Sequence, residues 1–173
     1  MRSVLPLGID DWKGDVLFGV GMGALFIFMS VIGGFSFVLP TQFFDAFQGT
    51  NFLSLNVGMF ISVVLLAPLI EEAVFRGILL PFLVTGLGLD LWFALVLQAG
   101  AFSVAHLSAY AGVELASFSL QSVFAVTGAF ISAFIFGVVI GYFAFTRKNY
   151  LVGVLPHAMI NFWLVKGQLF LVG

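Results

Sequence analysis

Charged residues are so rare in this chain that its long apolar stretches constrain the fold more than any other feature. Over the whole chain, 62% of the residues are hydrophobic and 8% are charged, whereas an average soluble domain is about 25% charged. Residues 46–89 carry charges only at Glu71, Glu72 and Arg76. No soluble core could bury so much apolar surface, so the sequence predicts an integral membrane protein.

The apolar runs predict an all-α fold: a polytopic transmembrane helix bundle of about six membrane segments in a single domain, residues 1–173. A helix over residues 52–89 would be about 55 Å long, too long for a hydrocarbon core of about 30 Å, so we expect Pro68 to divide it. Asp90 is expected to cap the next helix, and residues 108–116 are expected to form a loop. The predicted segments are Leu17–Val38, Leu53–Ala67, Leu69–Val84, Leu91–Leu107, Leu120–Phe145 and Leu151–Val172.

Glycine spacing within two of these segments predicts close helix packing. The first segment carries Gly19, Gly21 and Gly23, and the fifth carries Gly137 and Gly141 in a GxxxG pattern. Small residues on one face let two helix backbones approach closely in lipid.

Charge and cysteine content exclude several kinds of function. The net charge of −2 gives no basic patch for nucleic acid or for a membrane surface. The chain has no cysteine, which excludes disulfides, thiolate chemistry and cysteine zinc sites; we expect a multi-pass protein of a prokaryotic cell membrane. The Arg147-Lys148 pair and the N-terminal Arg2 and Lys13 both bear on orientation, but together they leave it open.

Three groups of polar residues can do chemistry inside the apolar segments. Glu72 and Arg76 are four residues apart, so on a helix they share a face and can pair. Glu71 points about 100° away from Glu72, and we expect it to face elsewhere. Across the turn at Gly86, Glu71 and His106 are equally far along an antiparallel hairpin, so they come level.

The third group is His157 and Asn161, which are also four residues apart and share a face. His157 lies about 14 Å into its helix, whereas Glu71 lies about 25 Å from the membrane face that bears the Gly86 turn. Tilt, a protruding helix end or a funnel-shaped cavity could reconcile these depths.

Several chemistries remain open from these residues alone. A carboxylate and imidazoles around a water pocket can activate that water for hydrolysis, and the Asn161 amide could donate to an oxyanion. Glu71 and the two histidines could instead hold a divalent metal. The charges could also simply hold helices together, or relay protons in a small transporter.

These residues stand in three motifs in a fixed order: EExxxR, then FxxxH, then HxxxN. They are Glu71-Glu72-Ala73-Val74-Phe75-Arg76, Phe102-Ser103-Val104-Ala105-His106 and His157-Ala158-Met159-Ile160-Asn161. In these motifs the chain resembles the CAAX protease and bacteriocin-processing (CPBP, or Abi) family of intramembrane glutamate proteases, over a core of about residues 67–163.

The resemblance implies an intramembrane endopeptidase that hydrolyses a peptide bond without a covalent intermediate. It implies that Glu71 activates water with help from His106, that His157 and Asn161 stabilise the oxyanion, and that Glu72 and Arg76 form a supporting ion pair. We predict no cofactor and no metal ion, and a peptide or membrane-protein substrate within the lipid bilayer. The alternative is a non-catalytic accessory or assembly subunit of a larger membrane protein complex.

Overall fold

The computed structural model describes residues 12–32, 58, 61–114 and 120–171, with side chains within 12–29, 58, 61–107, 123 and 126–163. These residues form helices, as the sequence predicts. Two stretches among them, Trp12–Met29 and Val126–Arg147, are long and apolar enough to cross a membrane, judged by length and composition. The helices are α1 (Trp12–Ile32), α2 (residues 62–86), α3 (Leu91–Glu114), α4 (Leu120–Arg147) and α5 (Leu151–Leu171).

Helix α2 runs without interruption through Pro68, so the predicted division at this proline is wrong. Its hydrogen bonding changes along its length. An α-helical stretch, Ala67–Glu72, lies between two π-helical stretches, Ser62–Leu66 and Ala73–Leu79, and a third π-helical stretch follows at Phe82–Gly86. Proline normally breaks a helix because its ring clashes with the carbonyl four residues earlier. The wider π register, in which Ala67 N–H donates to Ser62 O, lets the chain continue past Pro68.

Two predicted helix ends also differ from the structure. Helix α1 begins at Trp12, five residues before the predicted start. Lys13 and Asp15 therefore lie in its first turn and not in a preceding loop. The acidic Asp15 suits that position near the helix N-terminus. Helix α3 continues to Glu114, where a loop from Ser108 was predicted; no proline interrupts this stretch. The predicted end of the first segment at Val38 lies outside the described residues.

The turn between α2 and α3 has the chemistry that the sequence predicts. Gly88 adopts a φ of +68° between α2 and α3, a conformation that favours glycine. Asp90 caps α3, since its Oδ1 accepts the Trp92 N–H at 2.9 Å. At the α4–α5 turn, Asn149 donates to Asp15 Oδ2 at 2.7 Å, which ties this turn to α1.

Glycines bring the helices into close contact, as their spacing predicts. A Cβ on Gly137 would lie 2.9 Å from Ala99 Cβ, so α3 and α4 pack with almost no side chain between them. Gly19 and Gly23 lie against Leu155 and Met159 in the same way, which packs α1 on α5. Between the helices, a buried apolar cluster surrounds the polar residues: Phe102, Ala133, Phe136, Ile140 and Ile160.

Candidate active site

Three helices bring one carboxylate and both histidines together. Glu71 on α2 places Oε2 3.4 Å from His106 Nε2 on α3 and 3.6 Å from His157 Nε2 on α5. One atom from each residue lies within 4.8 Å of the other two. Glu71 and His106 are therefore level across the α2–α3 hairpin, as their spacing predicts.

The depth of His157 is explained by a protruding helix end. Tyr150, in the α4–α5 turn, lies against Gly77, where a Cβ would be 3.3 Å from its ring. The turn therefore sits beside the middle of α2, and the end of α2 that carries Gly86 extends beyond it. Because α5 starts at this turn, His157 is level with Glu71 although it lies less than two helical turns from the start of α5.

The His106 ring is oriented by its own helix. Its Nδ1 lies 2.8 Å from the carbonyl oxygen of Phe102, one turn earlier. A carbonyl oxygen can only accept, so Nδ1 carries the hydrogen and donates it. In the neutral ring, Nε2 then presents a lone pair to Glu71 Oε2.

The His157 ring is oriented by the second carboxylate. Its Nδ1 lies 3.0 Å from Glu72 Oε1, and both side chains are buried. Glu71 faces elsewhere while Glu72 pairs with the buried Arg76, as the spacing predicts. The two carboxylates diverge along the helix, yet both reach His157, because this ring lies in the angle between them.

The result is three acceptor atoms that face one another: Glu71 Oε2, His106 Nε2 and His157 Nε2. Acceptors this close need a hydrogen-bond donor or a cation between them. A water molecule can supply two hydrogens and then lies in position to attack. The set could equally hold a divalent ion such as zinc, whose histidine ligands commonly donate their second ring nitrogen to a carbonyl or carboxylate.

Exposure separates the roles that the two carboxylates can take. The Glu71 side chain is 33% exposed and that of His106 is 25% exposed, whereas Glu72 and Arg76 are 0% exposed. Glu72 Oε1 is 3.0 Å from Arg76 Nη1, which makes the predicted ion pair. Of the two carboxylates, Glu71 is therefore the one whose side chain water can reach, although its Oε2 atom is itself buried.

Phe102 has a role that the sequence analysis did not assign. Its ring centroid is 4.1 Å from the Arg76 guanidinium carbon and 4.2 Å from the His106 ring centroid. Its carbonyl holds His106, as described above. The signal was its place in the FxxxH motif, four residues before a histidine on the same helical face.

Gly153 also contributes to the site, and nothing in its sequence context indicated this. The Glu72 carboxylate lies directly against the Gly153 backbone, so that any side chain on Gly153 would collide with it.

Asn161 stands apart from the other predicted site residues. Its Nδ2 donates to the backbone carbonyl oxygen of Val63 at 3.0 Å, near the start of α2. The structure thus brings Glu71, Glu72, Arg76, His106 and His157 into one contact network, and it joins Asn161 to the backbone beside that network.

Comparison with known proteins agrees with the motif analysis. The sequence model of the family described as "Type II CAAX prenyl endopeptidase Rce1-like" matches residues 53–163, a stretch that includes all six predicted site residues. No curated protein and no solved structure matches the chain. The family is a membrane-embedded protease family, which confirms the resemblance drawn from the three motifs. The chain therefore belongs to the Rce1-like family of type II CAAX prenyl endopeptidases.

Proposed function

We propose that this protein is an intramembrane endopeptidase that hydrolyses a peptide bond with water activated by Glu71. The observation that carries the proposal is the convergence of Glu71 Oε2, His106 Nε2 and His157 Nε2, with separations of 3.4 and 3.6 Å from the carboxylate oxygen. The outer ring nitrogens of both histidines donate to fixed acceptors, so their inner nitrogens are available to the reaction.

In the proposed reaction, Glu71 acts first as a base and then as an acid. Water donates one hydrogen to Glu71 Oε2 and the other to His106 Nε2. In this orientation a lone pair of the water oxygen points toward the substrate. As the water oxygen bonds to the carbonyl carbon, its proton passes to Glu71 and the carbonyl oxygen becomes an oxyanion. The C–N bond then breaks, its electron pair goes to the nitrogen, and Glu71 returns the proton to this leaving amine.

His157 supports the oxyanion in this scheme when Nε2 carries a proton. The Glu72 carboxylate accepts from Nδ1 at 3.0 Å and so fixes the orientation of the ring. Arg76 in turn holds Glu72 at 3.0 Å and keeps it out of contact with substrate. Glu72 and Arg76 are thus supporting residues.

The proposed setting is a single transmembrane domain over residues 1–173, to which the described residues contribute the five helices α1 to α5. Large apolar side chains are exposed on all five helices, as expected where lipid surrounds the bundle. Examples are Leu17, Ile70, Trp92, Ile135 and Phe162. Within this setting the substrate is a peptide or a segment of a membrane protein.

The test is comparative membrane proteomics on cells that express wild type, Glu71→Gln or His106→Ala at matched levels. Asp90→Asn is the matched control, because it makes the same carboxylate-to-amide change at an exposed cap. We expect the same membrane protein or peptide to accumulate uncleaved in both site variants and in neither wild type nor control. If both variants leave every cleavage product unchanged while deletion of the gene destabilises a membrane complex, the chain is an accessory subunit instead.

A metal-dependent variant of this mechanism is favoured by the same three atoms, since carboxylate and imidazole are common zinc ligands. Purified protein distinguishes the two. Hydrolysis that survives prolonged dialysis against a strong chelator supports direct activation by Glu71. Hydrolysis that is lost on dialysis and returns with added zinc supports a metal-bound water.

A further inference from the structure

The start of α2 contains a backbone carbonyl that loses its usual donor. In a π register an N–H donates to the carbonyl five residues earlier, and at the end of the π-helical stretch Ser62–Leu66 the Ala67 N–H donates to Ser62 O. The next residue in this register would donate to Val63 O, but it is Pro68, which has no N–H. Because Ala67 donates to Ser62 and Pro68 has no N–H, Val63 O lacks the donors that the α and π registers would supply.

The Asn161 side chain supplies that hydrogen. Its Nδ2 donates to Val63 O at 3.0 Å, in a partly buried setting. An unsatisfied carbonyl inside an apolar bundle is costly, and one amide N–H replaces what the proline removes. Asn161, which lies on α5, therefore satisfies a backbone carbonyl of α2.

This bond lies on the two helices that build the site. Val63 is two helical turns before Glu71 on α2, and Asn161 is one turn after His157 on α5. Hydrogen bonds thus join α2 to α5 from Asn161 to Val63 and from His157 to Glu72, and Glu71 also lies 3.6 Å from His157.

We propose that Asn161 is a positioning residue, coupled to Pro68, that sets the register of the Glu71 helix against the His157 helix. This inference rests on the proposed function for its catalytic consequence. A positioning role differs from an oxyanion role, because Asn161 then acts through its hydrogen bond to the α2 backbone and not through a hydrogen bond to the oxyanion. The two roles differ in one property: only the positioning role depends on Pro68.

A double-mutant cycle measures that dependence. Asn161→Ala is made in the natural chain and in Pro68→Ala, where the new N–H at position 68 can donate within α2. We expect Asn161→Ala to lower the folding equilibrium constant by about tenfold to a hundredfold in the natural chain, and by less than about threefold beside Pro68→Ala. The hydrolysis rate should show the same coupling.

Asn149→Ala is the matched control, since the Asn149 amide donates to Asp15 on α1 and not to a backbone carbonyl of α2. Asn149→Ala should lower the folding equilibrium constant by the same factor in the natural chain and in Pro68→Ala, as expected of independent sites. Equal losses for Asn161→Ala in the two backgrounds, in both stability and rate, would overturn the inference.

The stability measurement separates this inference from the proposed function. If no variant, including the natural chain, hydrolyses any peptide, the proposed function fails, yet the unfolding cycle still decides whether Asn161 is coupled to Pro68. If hydrolysis is observed and the stability coupling is absent, the inference fails while the proposed function stands.

Discussion

Replacing Gly153 by alanine should disturb the site through a single methyl group. Gly153 is buried at the start of α5, where an added Cβ would collide with the Glu72 carboxylate and lie 2.6 Å from Ile140 Cγ2. Glu72 cannot swing aside freely, because it is fully buried and contacts both Arg76 and His157 at 3.0 Å. The methyl must therefore displace either α5 or the carboxylate.

The sign of the effect follows from two opposing terms. Alanine in place of glycine stabilises a helix interior by at most about 1 kcal/mol. Forcing an extra carbon into a packed core costs about 1–3 kcal/mol, so the net change should be destabilising by up to about 2 kcal/mol. Gly128→Ala is the matched control: a Cβ there meets nothing within 4 Å, so the same substitution should be stabilising.

The two variants are compared by unfolding the purified protein in mixed micelles and by its hydrolysis rate. A shift of about 1 Å in a catalytic group can cost about a hundredfold in rate, so Gly153→Ala should lose most of its activity and Gly128→Ala almost none. Equal stability of the two variants, together with full activity of Gly153→Ala, would refute the reasoning that Gly153 makes room for Glu72.

Three further substitutions test the surroundings of the site. Glu72→Gln should lower stability by about 3–5 kcal/mol, because it leaves Arg76 buried without its partner, and adding Arg76→Met should recover most of this loss without recovering hydrolysis. Equal unfolding midpoints for the single and double variants would contradict this. Phe102→Leu keeps the carbonyl that holds His106 but removes the ring beneath Arg76, so stability should fall by about 1–2 kcal/mol; an unchanged midpoint would exclude that contact. Asp90→Ala removes the α3 cap and should cost about 1 kcal/mol in unfolding experiments, with hydrolysis unchanged.

Local spacing was enough to predict the part of the site that lies on one hairpin. The i to i+4 relation of Glu72 and Arg76, and the equal distances of Glu71 and His106 from the Gly86 turn, depend only on regular helix geometry. Both contacts are found, at 3.0 and 3.4 Å. The cap at Asp90 was predicted for the same reason, since capping is decided within one turn of chain.

Features that depend on several helices could not be predicted in this way. Pro68 indicated a break because helix rules describe an isolated α-helix, whereas the chain passes it in a π register that Asn161 supports from α5. The depth of His157 followed from where the α4–α5 turn packs against Gly77, a tertiary contact with no local signal. The importance of Gly153 likewise arises only when α5 meets α2.

The charge balance of the site indicates why two adjacent carboxylates are present. Arg76 neutralises one carboxylate, and the exposures of 0% for Glu72 and 33% for Glu71 show which one. A site that merely held helices together would need only that buried pair. Among the described residues, the second carboxylate faces two imidazole nitrogens that act as acceptors when neutral, so a proton shared with water is the simplest way to satisfy all three groups. A carboxylate that is partly exposed and shares a proton with water can take that proton during attack and return it to a leaving amine. In the proposed mechanism the buried pair and the exposed carboxylate therefore have separate roles: Glu72 and Arg76 fix His157, and Glu71 remains available to the substrate.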